Sequence, residues 1–390
     1  MSHTSSAARS RVESIDLLRG VIMIVMALDH TRDFFGSLAQ NPTNLATASA
    51  GLFLTRWVTH FCAPVFFLLT GTGAYLSLGR RSRGELSRFL LTRGLWLIFL
   101  ELVVVRCLAY QFNVDYRVTM LLVLWALGWA MILLAALVHL PVGMTAAIGI
   151  LMIAGHNLFD GVRSANPLWS ILHSPGFVLN TPEHVVFAAY PLIPWVGVTA
   201  AGYALGRIYS WDTARRRSWL LRLGLGASLA FVVIRAINIY GDPARWAAQE
   251  NALFTVLSFL NATKYPPSLV FLLMTLGPAL LFLRLVDQRT PRLLRPALVI
   301  GKVPLFYFVL HFVLIHLLAV VTCYFRYGSA HWMFESPDLS NYPYTAPPGW
   351  GYSLPVVYVV WAFVVAAMYP LCRWFARLKQ RRTDAWFSYL

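Results

Sequence analysis

Runs of about twenty apolar residues recur along the whole chain, and they restrict the fold more than any other feature of the sequence. Of the 390 residues, 58% are hydrophobic, and the mean hydropathy is +0.62. A helix of roughly 20 apolar residues crosses the hydrocarbon core of a bilayer. We therefore predict an all-α, polytopic integral membrane protein in which residues 1–390 form a single domain with no separate soluble part.

Ten apolar runs fit this description. They cover residues 15–36, 51–78, 89–111, 118–139, 141–159, 186–208, 217–239, 266–286, 297–325 and 352–374. Basic stretches follow four of these runs, at residues 80–83, 215–217, 284–295 and 373–382. Because positively charged loops stay in the cytoplasm, about ten transmembrane helices with both termini cytoplasmic place all of these stretches on one side. This topology predicts a multi-pass protein of the cytoplasmic (inner) membrane.

The net charge of +16 does not indicate a nucleic-acid partner, because most of the 32 Lys and Arg residues lie in loops or span ends on the predicted cytoplasmic side. The four cysteines have neither a CxxC pair nor a zinc spacing, and we predict that they are packing residues. They are Cys62, Cys107, Cys323 and Cys372.

The first apolar run carries an unusual number of ionisable side chains. They are Asp16, Arg19, Asp29, His30, Arg32 and Asp33. An apolar segment separates Arg19 from His30, which lies eleven residues later, or roughly 16 Å along a helix. A charge at membrane depth is costly, so residues of this kind usually face a wet cavity or a partner. The run therefore predicts a cation at one membrane face and a histidine–carboxylate site towards the other.

His30 is the first candidate catalytic residue. On a helix, Asp33 shares its face three residues further on, where a carboxylate can hold the imidazole tautomer. A neutral histidine, with a pKa of about 6.5, is the usual general base at neutral pH. The alternative is a polar helix end without chemistry, in which Asp29 pairs with Arg32.

His60, in the first half of the second run, is another candidate. If the first two spans form a helical hairpin, His60 lies one or two turns deeper than the end of the first span, and it approaches His30. The alternative is a hydrogen-bonded packing residue, which is the commoner role of a single histidine in a span.

The ninth run contains His311, His316 and Lys302. The two histidines are five residues apart, which rotates them by about 140° around a helix, so they do not face one point. No HExxH or other metal spacing is present, and we predict no metal. Lys302 lies near the predicted cytoplasmic side, where it either meets an anionic phosphate or extends its amine to the interface.

Three segments of the sequence resemble a known family. They are residues 14–20 (SIDLLRG) followed by His30, residues 59–71 (THFCAPVFFLLTG), and residues 301–307 (GKVPLFY) followed by His311. Together they are similar to the heparan-alpha-glucosaminide N-acetyltransferase family, within the broader transmembrane acyltransferases that include the type 3 enzymes acylating surface sugars. In those enzymes an Arg-Gly pair precedes a catalytic histidine by the spacing that separates Arg19 from His30.

The resemblance implies a membrane-bound acyltransferase. Its reaction would move an acyl group, in the first instance acetyl, from cytoplasmic acetyl-CoA or another acyl-CoA to an amine or hydroxyl of an extracytoplasmic saccharide or glycoconjugate. The implied catalytic residues are His30, Asp33 and His60. The implied acyl-CoA ligands are Arg19 and Lys302, and the implied substrate-binding residues are Asp29, Arg32, Tyr307 and His311. The bilayer, acyl-CoA and the acceptor are the expected partners, no metal cofactor is expected, and a homodimer is left open.

The sequence leaves the route of transfer and two other classes of function open. His30 either deprotonates an acceptor that attacks the thioester, or becomes acylated itself in a double displacement. A proton-coupled secondary transporter of a small solute would use histidine and aspartate as a proton relay, although the chain shows no repeated half of the kind common in transporters. An envelope assembly protein would have no chemistry at all.

Overall fold

A computed structural model describes residues 12–37, 41–337, 339 and 345–382, and these residues are mostly helical. The α-helices in chain order are α1 (Glu13–Phe35), α2 (Ala50–Thr59), α3 (Cys62–Ser77), α4 (Arg83–Phe99), α5 (Val123–Leu137), α6 (Val142–Gly155), α7 (Pro167–Leu172), α8 (Leu192–Gly206), α9 (Thr213–Ile237), α10 (Ala252–Leu260), α11 (Leu269–Val286), α12 (Arg295–Gly301), α13 (Pro304–Tyr327) and α14 (Leu354–Arg381). A π-helical segment, Leu100–Tyr110, continues α4. Short 3₁₀ turns lie at His156–Phe159, Arg207–Ser210, Arg292–Leu294 and His331–Phe334.

Each of the ten predicted spans contains a helix or consecutive helices. Within the described residues, six segments are long and apolar enough to cross a membrane, which makes the chain a multi-pass membrane protein: Ala50–Ser77, Val142–Phe159, Thr213–Ile237, Leu269–Val286, Pro304–Tyr327 and Leu354–Arg381. Helices α5 and α8 have 15 residues each, or about 22 Å, which is less than a bilayer core of about 30 Å. The total of ten spans and the orientation stay predictions, and the chain ends, residues 1–11 and 383–390, lie outside the described residues.

The all-α prediction is wrong in one place, because the chain contains a three-stranded sheet. Its strands are β1 (Val118–Leu121), β2 (Gly176–Asn180) and β3 (Val185–Ala188), in the order β1-β3-β2. β1 pairs parallel and β2 antiparallel with β3. The predicted spans at 118–139 and 186–208 therefore begin with strands, and their helices start later. Periodicity cannot distinguish a short buried strand from the beginning of an apolar helix, so the sequence pattern merged them.

Two other predicted spans are interrupted. The second run changes from α2 to α3 at residues 60–61, and the ninth run is broken between α12 and α13 at residues 302–303. Pro304 begins α13, where a missing N–H is tolerated, and a proline disfavours helical backbone at the residue before it. Val303 accordingly has φ −133° and ψ 52°. The fourth and fifth runs form separate helices, since α5 ends at Leu137 and α6 begins at Val142, and that both cross the membrane stays a prediction.

A buried carboxylate fixes the beginning of α5. The Glu101 side chain, from the π-helical segment, accepts a hydrogen bond of 2.8 Å from the backbone N–H of Leu124. This bond satisfies one of the backbone donors that every helix leaves without an intrahelical partner at its N-terminus. It thereby ties α5 to the third run next to the cavities described below.

Glycines allow two pairs of helices to approach closely. A Cβ atom on Gly20 of α1 would lie 1.7 Å from the Ala297 carbonyl oxygen of α12, and one on Gly71 of α3 would lie 1.9 Å from the Thr199 carbonyl oxygen of α8. By contrast, a Cβ on Gly73 would meet nothing within 4 Å. Small residues at such contacts are the usual way in which membrane helices pack backbone against backbone.

Gly71→Ala is expected to destabilise the protein, because the added methyl group must push α3 away from α8. Overpacking of this kind costs about 1–3 kcal/mol. Gly73→Ala, two residues further along the same helix, is the matched control and should be neutral or slightly stabilising. Thermal unfolding of the detergent-solubilised variants measures the difference, and equal melting temperatures for the two would contradict the packing described here.

Candidate active site

Three cavities adjoin one another along α1. We name them the basic cavity, the histidine cavity and the outer cavity. The basic cavity, of about 280 Å³, is reached by four cationic side chains from different parts of the fold: Arg19, Arg93, Lys302 and Lys379. The rest of its wall is mainly apolar and includes Met23, Phe66 and Val123. A cavity of this composition fits a ligand with an anionic head and an apolar tail.

The histidine cavity, of about 300 Å³, lies next along α1. Its wall combines the polar end of α1 with residues from later parts of the chain, and the residues that matter below are Asp29, His30, Arg56, Tyr190, Lys264 and Tyr265. Phe66 and Val123 belong to the walls of both this cavity and the basic cavity. The two cavities therefore adjoin at these two side chains.

The outer cavity, of about 720 Å³, adjoins the histidine cavity on the other side. Arg32 and Asp33 belong to both walls. Trp350 and Tyr352, from the segment before α14, form the aromatic part of the outer wall. His30 thus lies in the middle of a series of three cavities that runs from a cationic end to an aromatic and carboxylate-bearing end.

His30 is surrounded by aromatic rings on the side of α13. Its ring centroid lies 3.9 Å from that of Phe312 and 5.2 Å from that of His311. His311 is fully buried, and its Nδ1 lies 2.9 Å from the Tyr307 carbonyl oxygen, which can only accept. Nδ1 therefore carries the proton, and the Nε2 atom of His311 has no hydrogen-bond partner. A second imidazole, with one ring nitrogen unpartnered, thus lies beside His30.

Asp29 pairs with Arg32, as the alternative of a polar helix end predicts, with a distance of 2.9 Å between Oδ1 and the guanidinium. Asp29 also forms an ion pair with Arg56 of α2, and both side chains are largely buried. A buried carboxylate in contact with two guanidinium groups remains ionised, since each removes part of the cost of burying the charge. The cluster joins the end of α1 to α2 at the wall of the histidine cavity.

The structure does not support the predicted partnership of Asp33 with His30. Asp33 forms an ion pair with Arg32, and no hydrogen bond joins it to His30 within the part of the chain that the structure describes. Residues three apart share a helical face, but the strong cation next to Asp33 captures its carboxylate. Asp33 instead faces the outer cavity together with Arg32.

His60 is buried but does not line the histidine cavity. It packs edge to face on Phe271 of α11, with 5.3 Å between the ring centroids. His60 is the residue that follows α2, and it lies in the break between α2 and α3. His60 therefore does not join His30 at the histidine cavity, and its position agrees with the alternative of a packing residue.

The two predicted acyl-CoA ligands meet at the basic cavity. Arg19 donates to Asp16 at 2.9 Å and to the Gly301 carbonyl oxygen at 3.3 Å, so it lies beside the break that carries Lys302.

His316 lies apart from these residues, with its ring nitrogens 2.8 Å from the carbonyl oxygens of Ala109 and Met333. It belongs to a different environment from His311, as the five-residue spacing predicts.

Several residues of the histidine cavity were not predicted from the sequence. Lys264 and Tyr265 come from the connection between α10 and α11, and the Tyr265 hydroxyl lies 3.5 Å from that of Tyr190. Nothing in a polar loop marks these side chains as part of a site. Arg56 could have been predicted from the sequence, because a charge inside an apolar run usually has a function or a partner.

Comparison with known proteins identifies the family of the chain. None of the curated proteins compared with the chain matches it significantly. The sequence profile described as heparan-alpha-glucosaminide N-acetyltransferase, catalytic, matches residues 11–240. This stretch includes α1, which carries His30 and the first of the three segments that resemble the family. It also includes α2 and α3, which carry the second segment. Since the match covers more than half of the sequence, the chain belongs to the heparan-alpha-glucosaminide N-acetyltransferase catalytic family.

Proposed function

We propose that this membrane acetyltransferase takes its acyl group from cytoplasmic acyl-CoA, in the first instance acetyl-CoA, and delivers it to an extracytoplasmic sugar amine or hydroxyl. The observation that carries the proposal is the position of His30 between a cationic cavity and an outer cavity, with shared wall residues on both sides. A bacterial-type cytoplasmic membrane is the proposed location, because the positive-inside pattern then puts the basic cavity on the side where acyl-CoA is found.

The basic cavity is suited to the nucleotide end of acyl-CoA. This end carries a diphosphate and a phosphomonoester, and Arg19, Arg93, Lys302 and Lys379 all reach the cavity. Charge-assisted hydrogen bonds from lysine and arginine are the usual means of holding phosphates. Roughly 16 Å of helix separates Arg19 from His30, a length that an extended pantetheine arm can cover. The arm would pass Phe66 and Val123 to bring the thioester to His30.

His30 is the proposed general base. It would accept the proton of the acceptor amine or hydroxyl as that group attacks the thioester carbonyl, and the thiolate of CoA would leave towards the basic cavity. His311, with its bare Nε2, is positioned to share that proton and to orient the ring. Formation of an acyl-His30 intermediate is the other route, and the same residue carries it.

Cations beside His30 would stabilise the oxyanion of the tetrahedral intermediate. Lys264 and Arg56 both line the histidine cavity, and Lys264 is buried. Fixed positive groups at the place where negative charge develops lower the barrier most effectively in a site from which water is excluded. Asp29 holds Arg56 in position, so we assign Asp29 and Arg32 to the arrangement of the site and not to proton transfer.

The outer cavity is the proposed acceptor site. Trp350 and Tyr352 offer flat apolar faces, and the neighbouring Asp33 and Arg32 offer an acceptor and a donor. Saccharides present this combination of apolar ring faces and hydroxyl groups. A proton-coupled transporter would instead carry a solute through the same cavities without consuming acyl-CoA, and the experiments below separate the two functions.

His30→Ala is expected to lower kcat for acyl transfer at least about 100-fold, because general-base catalysis typically contributes 10²- to 10⁴-fold. The assay measures CoA release and acyl transfer by the purified full chain in lipid vesicles with radiolabelled acetyl-CoA. His139→Ala is the matched control, since His139 is exposed in the turn between α5 and α6. Wild-type turnover in the His30 variant would refute the assignment. Label that remains on the wild-type protein after rapid denaturation at neutral pH, is released by hydroxylamine, and is absent from the variant would select the acyl-histidine route.

Lys302→Met should raise KM for acetyl-CoA about fivefold, or ~1 kcal/mol, with little change in kcat, since a partly exposed charge contributes modestly. The same variant should use acetyl-pantetheine, which has no phosphates, as well as the wild type does. Arg292→Met provides the control, because Arg292 is exposed on the same predicted side but lies outside the cavities. A loss with acetyl-pantetheine equal to that with acetyl-CoA would place the effect elsewhere.

Val123→Trp is expected to obstruct the passage between the basic and histidine cavities. We expect kcat with acetyl-CoA to fall more than about tenfold, while CoA itself, which needs only the basic cavity, binds with unchanged Kd. Calorimetric titration of CoA and steady-state kinetics measure the two quantities. Val103→Trp, at an exposed position of the π-helical segment, should change neither. Full activity of Val123→Trp would contradict a path between these cavities.

A further inference from the structure

A second polar cluster lies at the end of α6, outside the three cavities. It consists of His156, Asp160 and His173, each of which offers one nitrogen or oxygen atom, and these three atoms lie within 4.8 Å of one another. His156 opens the 3₁₀ turn after α6, Asp160 follows that turn, and His173 follows α7. Side chains from the turn after α6 and from the end of α7 thus converge at one point.

The burial of His156 indicates that the cluster is made for a ligand. The residue is 1% exposed, and neither of its ring nitrogens forms a hydrogen bond of ordinary geometry, although the Pro267 carbonyl is close enough to interact with the ring. A buried polar group without a partner costs about 1–3 kcal/mol, so such side chains are rare unless something binds them.

The neighbouring groups orient the other two side chains. The Nε2 atom of His173 lies 3.6 Å from Oδ1 of Asp160 and 2.7 Å from the His156 carbonyl oxygen, while its Nδ1 lies 3.1 Å from Oγ of Ser174. The carbonyl oxygen can only accept, so without an ion Nε2–H of His173 donates to it and Nδ1 accepts from the Ser174 hydroxyl. Binding of an ion to Nε2 would move this proton to Nδ1, which would then donate to Ser174. Asp160 receives a bond of 2.8 Å from Asn157 on Oδ2, which leaves Oδ1 for the same point.

We propose that His156, Asp160 and His173 bind a divalent transition-metal ion, with Zn²⁺ as the chemically favoured occupant. Two imidazoles and one carboxylate are a common protein donor set for Zn²⁺, which takes water or a carbonyl oxygen as its fourth ligand. The Ser174 and Asn157 contacts are of the kind that orient metal-bound histidine and carboxylate groups from outside the coordination sphere. The prediction of no metal was based on sequence motifs, and the spacing of these three residues matches none of them.

The ion would link the end of α6, which carries His156 and Asp160, to the end of α7, which carries His173. β2 begins three residues after His173 and pairs with β3, which leads directly to Ala189 and Tyr190 at the wall of the histidine cavity. Asn157, beside His156, accepts a hydrogen bond of 2.9 Å from the backbone N–H of Leu269 at the beginning of α11. The proposed role is therefore structural, and it does not depend on the reaction proposed above.

Metal titration of the full chain in detergent, after removal of any affinity tag and treatment with chelator, tests the proposal. Added ZnCl₂ should bind with one ion per chain, and CoCl₂ should give the visible absorption of a tetrahedral or five-coordinate Co²⁺ site. His156→Ala and Asp160→Asn should each weaken binding at least about 100-fold, beyond the 10- to 100-fold effect of losing an outer contact. His184→Ala, at an exposed histidine close to β3, should bind like the wild type.

Two results of the binding titration would overturn the inference. One is a wild-type chain that takes up no stoichiometric Zn²⁺ or Co²⁺, and the other is unchanged binding in both ligand variants. If His156→Ala does not fold, Asp160→Asn still decides, because Asp160 is only partly buried. In that case Zn²⁺ should raise the Tm of the wild type and of His184→Ala but not that of Asp160→Asn, since a ligand stabilises only the protein that binds it. An equal rise in all three would also refute the site.

Discussion

The ion pairs of Asp29 with Arg32 and Arg56 determine how the first helix can lie in the protein. A charge within an apolar helix must be paired or hydrated, and removing one partner of a buried pair costs about 3–5 kcal/mol because the other charge is left uncompensated. The pairing turns the end of α1 towards α2 and away from lipid. His30, the residue after Asp29, consequently faces the histidine cavity, which lies between the basic and outer cavities, and not the hydrocarbon region.

Close backbone packing fixes the other side of the same helix. Gly20 and Gly301 allow α1 and α12 to touch, and the break at residues 302–303 then starts α13 in a direction that brings His311 to within 5.2 Å of His30. The break also places Lys302 at the basic cavity. One interruption in an apolar run thus supplies both a cation for one end of the proposed path and a second imidazole for its centre.

Much of the helical organisation could be predicted from hydropathy, because each apolar run must bury its backbone polar groups in a helix. The pairing of Asp29 with Arg32 was also predictable, since residues three apart share a helical face. The partner of Asp33 was not predictable, because the helix brings both His30 and Arg32 within its reach. The permanent charge of Arg32 decides the pairing. Lys264 escaped prediction for a different reason, since a loop has no periodicity from which its direction could be inferred.

The sequence by itself determined that this chain is a membrane protein with charges at the ends of its first helix, and its motifs identified the acetyltransferase family. Both depend on local pattern, either the length of apolar runs or the order of residues in short segments. Only the tertiary structure decided which residues share a space: the cavities around His30, the strands at the beginning of two apolar runs, and the convergence of His156, Asp160 and His173. Contacts between residues far apart in the chain arise from how the helices pack, and no single segment contains that information.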